Sequence, residues 1–371
     1  MSHLDRLLEG VEVEWKALGE VTQLQRGRVM SKVFLSENEG EFPVYSSQTQ
    51  NNGEIGSISS FDFSGEYISW TTDGANAGTV FYRNEKFSIT NVCGLITINN
   101  TNELNYKFLY YWLTIEAVKH VYSGMGNPKL MSHQMEKIQI PIPPLSVQKE
   151  IVRILDTFTE LTAKLTAELT ARKKQYNYYR EELLNFDEGE VVWKTLGEVC
   201  LSISAGGDVP ENSIKGQTVP TDEYPYPIYA NATGEGGLYG FTDEYKIESD
   251  AVTISARGAK IGYHTIREGK FTPIIRLISL VPNKNVISTK FLNYILYMTP
   301  IGGNDGGIPQ LTVPDVKKIR IPIPPVQEQE RIVSILDKFD ILTTSISEGL
   351  PKEIELRKKQ YEYYRDKLLR F

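Results

Sequence analysis

The sequence predicts an α+β protein in which two globular α/β heads are separated by two long helices packed as an antiparallel coiled coil. A pseudo-two-fold internal repeat relates the halves. Three observations carry this. The run IPIPP stands at 140–144 and again at 321–325, inside longer matches that keep one order along the chain. After each IPIPP, apolar residues recur at steps of three and four, the period of one helix face. Before each IPIPP, short β-rich runs alternate with Gly, Asn and Ser turns.

The repeat is read first, because a missed repeat miscalls the whole fold. EWKALGEV (14–21) returns as VWKTLGEV (192–199), and FPVYSSQTQNNGEIG (42–56) as YPIYANATGEGGLYG (226–240). TDGANAGTVFYR (72–83) returns as ARGAKIGYHTIR (256–267), GMGNPKL (124–130) as GGIPQL (306–311), and RKKQYNYYREELLNF (172–186) as RKKQYEYYRDKLLRF (357–371). The start RLLEGVEVEWK resembles the junction ELLNFDEGEVVWK, so the unit reads as circularly continuous. The parts are a first head over 1–143, a first helical arm over 144–186, a second head over 187–324 and a second arm over 325–371.

IPIPP is expected to be extended, since a residue before proline avoids the α region. A first helix from about 146 to 186 would be roughly 60 Å long at 1.5 Å per residue. Its apolar stripe comprises Ile151, Leu155, Phe158, Leu161 and Leu165, then Tyr176 and Tyr179. In the second arm it comprises Ile332, Leu336, Phe339 and Leu342, then Tyr361 and Tyr364. A stripe of that length needs a partner, and the other arm is the obvious one. LTAKLTAELTAR (161–172) is a short tandem of four-residue units found only in the first arm. Gly349 and Pro351 are expected to kink or break the second helix.

In the heads, polar residues gather in the turns. Ser47 and Gln48 follow Tyr45, and Asn231 and Thr233 follow Tyr229. At the glycine turn, Asp73 and Asn76 stand where the other copy has Arg257 and Lys260. At the proline loop, Asn127 and Lys129 stand against Ile308 and Gln310. Such side chains suit base-edge reading, although Asn, Asp and Gly are also what turns need. Different residues at the same place in two copies fit two readers of different sequences.

Composition excludes several classes. The net charge of −7 argues against a nonspecific polyanion binder. Residues 22–138 hold nine basic against eleven acidic residues, and 200–318 eleven against twelve, so neither head should grip duplex DNA alone. The sequence has no P-loop, no HExxH, no paired CxxC and four scattered histidines, so nucleotide-triphosphate, zinc and His-based chemistry are disfavoured. No Asn-Pro-Pro-aromatic motif of an amino-methyltransferase is present. No run of eighteen apolar residues exists, the start lacks the order of a secretory signal, and two cysteines suit a reducing compartment. A cytoplasmic, non-catalytic chain with no metal, no cofactor of its own and no membrane association is expected.

The duplicated KIxIPIPPxxxQxxIVxILDxF (137–158 and 318–339), the RKKQYxYYRxxLLxF arms and the TAEL-like tandem closely resemble the specificity (S) subunit of type I restriction–modification systems. The resemblance implies that each head is a target recognition domain for one half of a split, asymmetric site in double-stranded DNA. It implies that the helices set the spacer and dock two methyltransferase (M) subunits. S-adenosylmethionine, ATP and Mg would then lie on partners, which can include two restriction (R) subunits. Ser47, Gln48, Asp73, Asn76, Asn127 and Lys129 would line the first DNA face, and Asn231, Thr233, Arg257, Lys260 and Gln310 the second. Arg26 and Arg28 would be phosphate contacts, and the tyrosines of the arms seam or M-subunit contacts. The alternatives are a scaffold or anti-restriction protein that binds M subunits without reading DNA, and a fused methyltransferase–endonuclease.

Overall fold

The two most repeated motifs turn out to be strand partners. A computed structural model describes residues 7–124, 126–231, 234–258, 260–302, 310–345 and 347–371. The first head contains β1 (Glu14–Ala17), β2 (Thr22–Arg26), β3 (Glu39–Tyr45), β4 (Glu54–Ile58), β5 (Phe63–Thr71), β6 (Val80–Ile89), β7 (Cys93–Ile98) and β8 (Gln139–Ile142). The IPI of the first IPIPP lies in β8, antiparallel to β1, with Trp15 opposite Pro141. The second head repeats the pair with β9 (Val192–Thr195) and β19 (Arg320–Ile323), Trp193 opposite Pro322. Both are isolated two-stranded ladders. In such an edge, a proline's missing N–H need not cost a ladder bond. LGEV then forms one helical turn in each copy, Leu18–Val21 and Leu196–Val199.

The remaining strands of the first head make one sheet in the order β2-β7-β5-β6-β3-β4, antiparallel except for β3 with β6. The second head has β10 (Cys200–Ala205), β11 (Ser213–Lys215), β12 (Tyr226–Tyr229), β13 (Leu238–Thr242), β14 (Ile247–Glu248), β15 (Ala251–Ser255), β16 (His264–Arg267), β17 (Lys270–Pro273) and β18 (Leu277–Pro282). It keeps the pairings but forms two sheets, β10-β18-β15-β16 and β11-β13-β12-β17-β14. The cause is local. The counterpart of the ten-residue β6 is cut into β16 and β17 at Glu268–Gly269, where Gly269 takes φ +67°.

The longest helix of each head is Tyr106–Glu116 in the first and Thr289–Met298 in the second. Asn105 and Ser288 cap them, each side chain accepting from the N–H three residues on. The first arm is a continuous 40-residue helix, Leu145–Leu184, beginning directly after Pro144. The second arm is two helices, Val326–Thr344 and Gly349–Leu368. The break precedes Gly349 and Pro351, which lie in the first turn of the new helix; Gly349 takes φ +73° there. A Cβ at Gly349 would lie 2.4 Å from the Ile341 carbonyl oxygen, so no other residue fits.

The chain divides into two compact units, 1–165 with 353–371, and 166–352. Each arm is therefore shared between units, as a circularly continuous repeat requires. In the first unit Phe158 stacks on Tyr364 at 5.1 Å, and Tyr361 meets Tyr111 of the head helix. In the second, Phe339 stacks between Tyr176 and Tyr179 at 6.0 and 5.5 Å. Leu161, Leu165 and Leu342 are half-buried. Ile151 and Leu155 are fully buried in the core of the first head, and Ile332 and Leu336 in that of the second. Leu368 and Leu369 of the second arm share the first cluster, and Tyr176 and Leu184 of the first arm share the second, so head and arm cover these first turns together.

The rest of the repeated motif explains that docking. Gln148 is fully buried. Its Oε1 accepts from the Asn105 N–H at 2.8 Å, and its Nε2 donates to the carbonyls of Glu103 and Pro143. Gln329 does the same with the Ser288 N–H and the carbonyls of Val286 and Pro324. One helical face further on, Asp156 accepts from the Tyr111 hydroxyl and pairs with Lys107, both at 2.6 Å. Asp337 repeats this with Tyr294 and Lys290. Burial and the neighbouring carboxylate both push the Tyr111 and Tyr294 hydroxyls well above the usual phenol range.

Candidate nucleic-acid interface

Three loops that are distant in sequence meet at one place in the first head. The Ser47 hydroxyl, after β3, accepts from the Thr72 N–H at 3.0 Å and donates to the Val92 carbonyl at 2.6 Å. The glycine turn after β5 folds back through Gly78 N–H to Thr71 and Thr79 N–H to Asn76. The proline loop is stitched alongside it. Gly74 donates to Pro128, Leu130 donates to Thr72, and Asp73 bridges Lys129. Tyr122 and Lys129 exchange two backbone bonds at 2.8 and 3.0 Å, closing that loop on itself.

The second head builds the same cluster from different residues. Asn231, the counterpart of Ser47, donates its amide to the Arg257 carbonyl at 2.8 Å. Arg257 bridges Gln310, as Asp73 bridges Lys129. Leu311 donates to Ala256, and Gly262 to Ser255.

Most of the sequence-derived candidates thus come together. Asn76, Asn127 and Lys129 are exposed, and Asp73 is half-buried at the edge of the cluster. Lys260 and Gln310 are exposed and Arg257 half-buried. Ser47 and Asn231 serve the loops rather than offering their polar atoms outward. The Gln48 amide donates back to the Glu54 carbonyl. Arg26 is exposed, and its guanidinium approaches Met131 beside the proline loop. Arg28 is held by Asp62 at 3.0 Å over the Phe34 ring, so its charge is already matched. Thr233 lies outside the described residues, as does Ile308.

Composition and turn chemistry pass over one pair of residues beneath these loops. Arg83 on β6 is 1% exposed. Its guanidinium lies 3.5 Å from the Tyr45 ring centroid and 4.7 Å from that of Phe81. Its Nε donates to Ser69 Oγ at 3.1 Å and its Nη2 to the Asn52 carbonyl at 2.8 Å. Arg267 repeats the tyrosine and both hydrogen bonds, 3.8 Å from the Tyr229 ring, with Nε donating to Thr253 and Nη2 to the Gly236 carbonyl, while Thr265 stands where the first head has Phe81. Burial lowers the pKa of both arginines, yet a guanidinium stays charged in proteins. The available signal was the arginine retained at the end of both glycine-turn blocks, 184 residues apart.

The held carbonyls sit in a tight turn. Asn51 and Asn52 take φ +47° and +54°, and Gly236 and Gly237 take +66° and +79°. Gly53 takes φ +86°, and a Cβ there would lie 3.2 Å from both Arg83 Nη2 and the Gln48 carbonyl oxygen. Gly53→Ala is expected to cost about 1–2 kcal/mol, checked by thermal unfolding of the purified chain.

Two diverged copies of one loop cluster, on twin heads tied to duplicated helical arms, define a protein with two similar but non-identical binding faces. The chain belongs to the family described as type I restriction modification DNA specificity domain, whose family model matches residues 10–172 and 188–356. It is a DNA-specificity subunit of a type I restriction–modification system. A putative type I specificity subunit of Mycoplasma pneumoniae is 35% identical, over 97% of this chain and 98% of that protein. The EcoR124I/EcoR124II specificity subunit of Escherichia coli is 35% identical, over 100% of this chain and 97% of that one. The crystal structure of the S subunit from M. genitalium shares the fold with TM-score 0.65 at 19% identity, each chain covered in full. No helix among the described residues is long and apolar enough to cross a membrane.

Proposed function

We propose that each head reads one half of a bipartite, asymmetric site in double-stranded DNA, while the arms set the spacer and dock two methyltransferase subunits. The duplicated loop cluster carries this reading. The same scaffold presents Asp73, Asn76 and Lys129 in one head and Arg257, Lys260 and Gln310 in the other. A base reader needs that combination, because a fixed backbone aims the side chains while residue identity selects donors or acceptors.

The chain has no catalytic role in this reading. S-adenosylmethionine, and ATP with Mg where restriction subunits join, belong to the partners. The slightly acidic heads fit that division, because phosphate neutralisation dominates DNA affinity and the partners would supply most of it. The exposed faces of the arms, with Tyr178 and Tyr363 at equivalent places, are available for docking.

The test is to map methylated adenines by long-read sequencing in host cells with and without the gene. A split motif that vanishes with the gene confirms the reading and supplies both half-sites. An unchanged methylome would favour a scaffold that binds methyltransferase subunits without reading DNA. Arg257→Ala is expected to relax one base of the second half-site, at about 1–3 kcal/mol of lost discrimination, and leave the first half unchanged. Equal loss in both halves would remove Arg257 as a base reader.

A further inference from the structure

The loop after β3 in the first head and the loop after β12 in the second have no strand to hold their tips. Each tip turns through left-handed residues, Asn51 and Asn52 or Gly236 and Gly237. Each has one charged side chain beneath it. Arg83 joins three elements: Ser69 on β5, Tyr45 at the end of β3, and the loop carbonyl of Asn52. Arg267 joins Thr253 on β15, Tyr229 at the end of β12, and the loop carbonyl of Gly236.

A buried charge is costly unless its surroundings compensate it, and a merely structural site is usually as well filled by an apolar side chain. Here the charge recurs in both heads on equivalent partners, although the surrounding loop residues have diverged. Arg83 also keeps one donor, Nη1, buried and without an acceptor among the described residues. The loop carbonyl it holds, that of Asn52, belongs to the segment that carries Ser47 and Gln48. Planar, forked donors reach both the strand hydroxyl and that carbonyl from one fixed plane, which a lysine cannot do.

We propose that Arg83 and Arg267 are positioning residues for DNA reading, each fixing the loop whose Ser47 or Asn231 braces the glycine turn that presents its head's base-reading side chains. They touch no DNA themselves. They act by removing the alternative positions in which a loop could accept a wrong base. This rests on the reading that the heads recognise half-sites.

The test uses the complex of the full chain with its methyltransferase subunits, on duplexes carrying every single-base variant of the mapped site. Arg83→Met is expected to lower discrimination about tenfold at bases of one half-site. Arg267→Met should do so at the other half only. Hydrogen exchange should rise in residues 46–54 of Arg83→Met while β5 stays protected. If a methionine variant does not assemble, the lysine variant, which keeps the charge and loses the fork, is read in the same two ways. Unchanged discrimination, or equal loss in both halves, overturns the proposal. A wild-type complex that shows no bipartite motif would instead overturn the reading of the heads, and this inference with it.

Discussion

Replacing Gln148 by leucine is expected to destabilise the first unit by about 3–6 kcal/mol, enough to lower its unfolding temperature by about 10 °C or more. The size follows from what the side chain leaves behind. Gln148 is fully buried, and its amide serves the Asn105 N–H and two carbonyls, those of Glu103 and Pro143. Leucine fills similar space but answers none of these groups, and each buried group left unpaired costs about 1–3 kcal/mol. The Asn105 N–H belongs to the residue that caps the head helix, so the loss also loosens that helix where the arm meets it. Gln329→Leu should weaken the second unit in the same way, through Ser288, Val286 and Pro324. Thermal and denaturant unfolding measure the effect, and hydrogen exchange over residues 103–116 locates it. A cost below about 1 kcal/mol would mean that apolar packing of Ile151 and Leu155 alone holds the junction.

How far the sequence reveals such contacts depends on how local they are. The arms are legible because a helical period repeats within a few residues, and Phe158 stacks on Tyr364 as Phe339 does on Tyr176 and Tyr179. Periodicity identifies a buried face, though, and not what covers it. Ile151, Leu155, Ile332 and Leu336 follow the stripe, and they are covered by head residues as well as by residues of the other arm. The extended form of IPIPP is equally local, since it follows from proline sterics. Its pairing with EWKA is not, because the partners lie at opposite ends of the head sequence. In the candidate interface, the glycine turn and the proline loop were visible as aligned blocks. Their stitching through Asp73–Lys129 and Arg257–Gln310 depends on backbone bonds that residue types do not encode. Arg83 and Arg267 escaped for a different reason. A charge in a sequence reads as surface, and only the fold shows one folded beneath a tyrosine ring.

Deleting Thr166–Leu169 is expected to shorten the unspecified spacer of the recognition motif by about one or two base pairs while leaving both half-sites intact. The four residues fall within the continuous helix Leu145–Leu184. At 1.5 Å per residue they account for about 6 Å of helix, and DNA advances 3.4 Å per base pair. Four residues also turn a helix by about 400°, so the residues beyond the deletion return to within about 40° of their original face. The deletion therefore changes length far more than facing, and the stacked pair of Tyr176 and Tyr179 on Phe339 can re-form. The second arm is already interrupted between Thr344 and Gly349, which gives it a place to absorb the change without a new break in a long helix. Methylome mapping of the deletion variant reads the result directly. A shorter spacer with the same half-sites would make the first arm the ruler. An unchanged spacer at full methylation would place the ruler elsewhere. Loss of methylation with an assembled complex would mean that the arms fix the relative facing of the two heads more tightly than their separation.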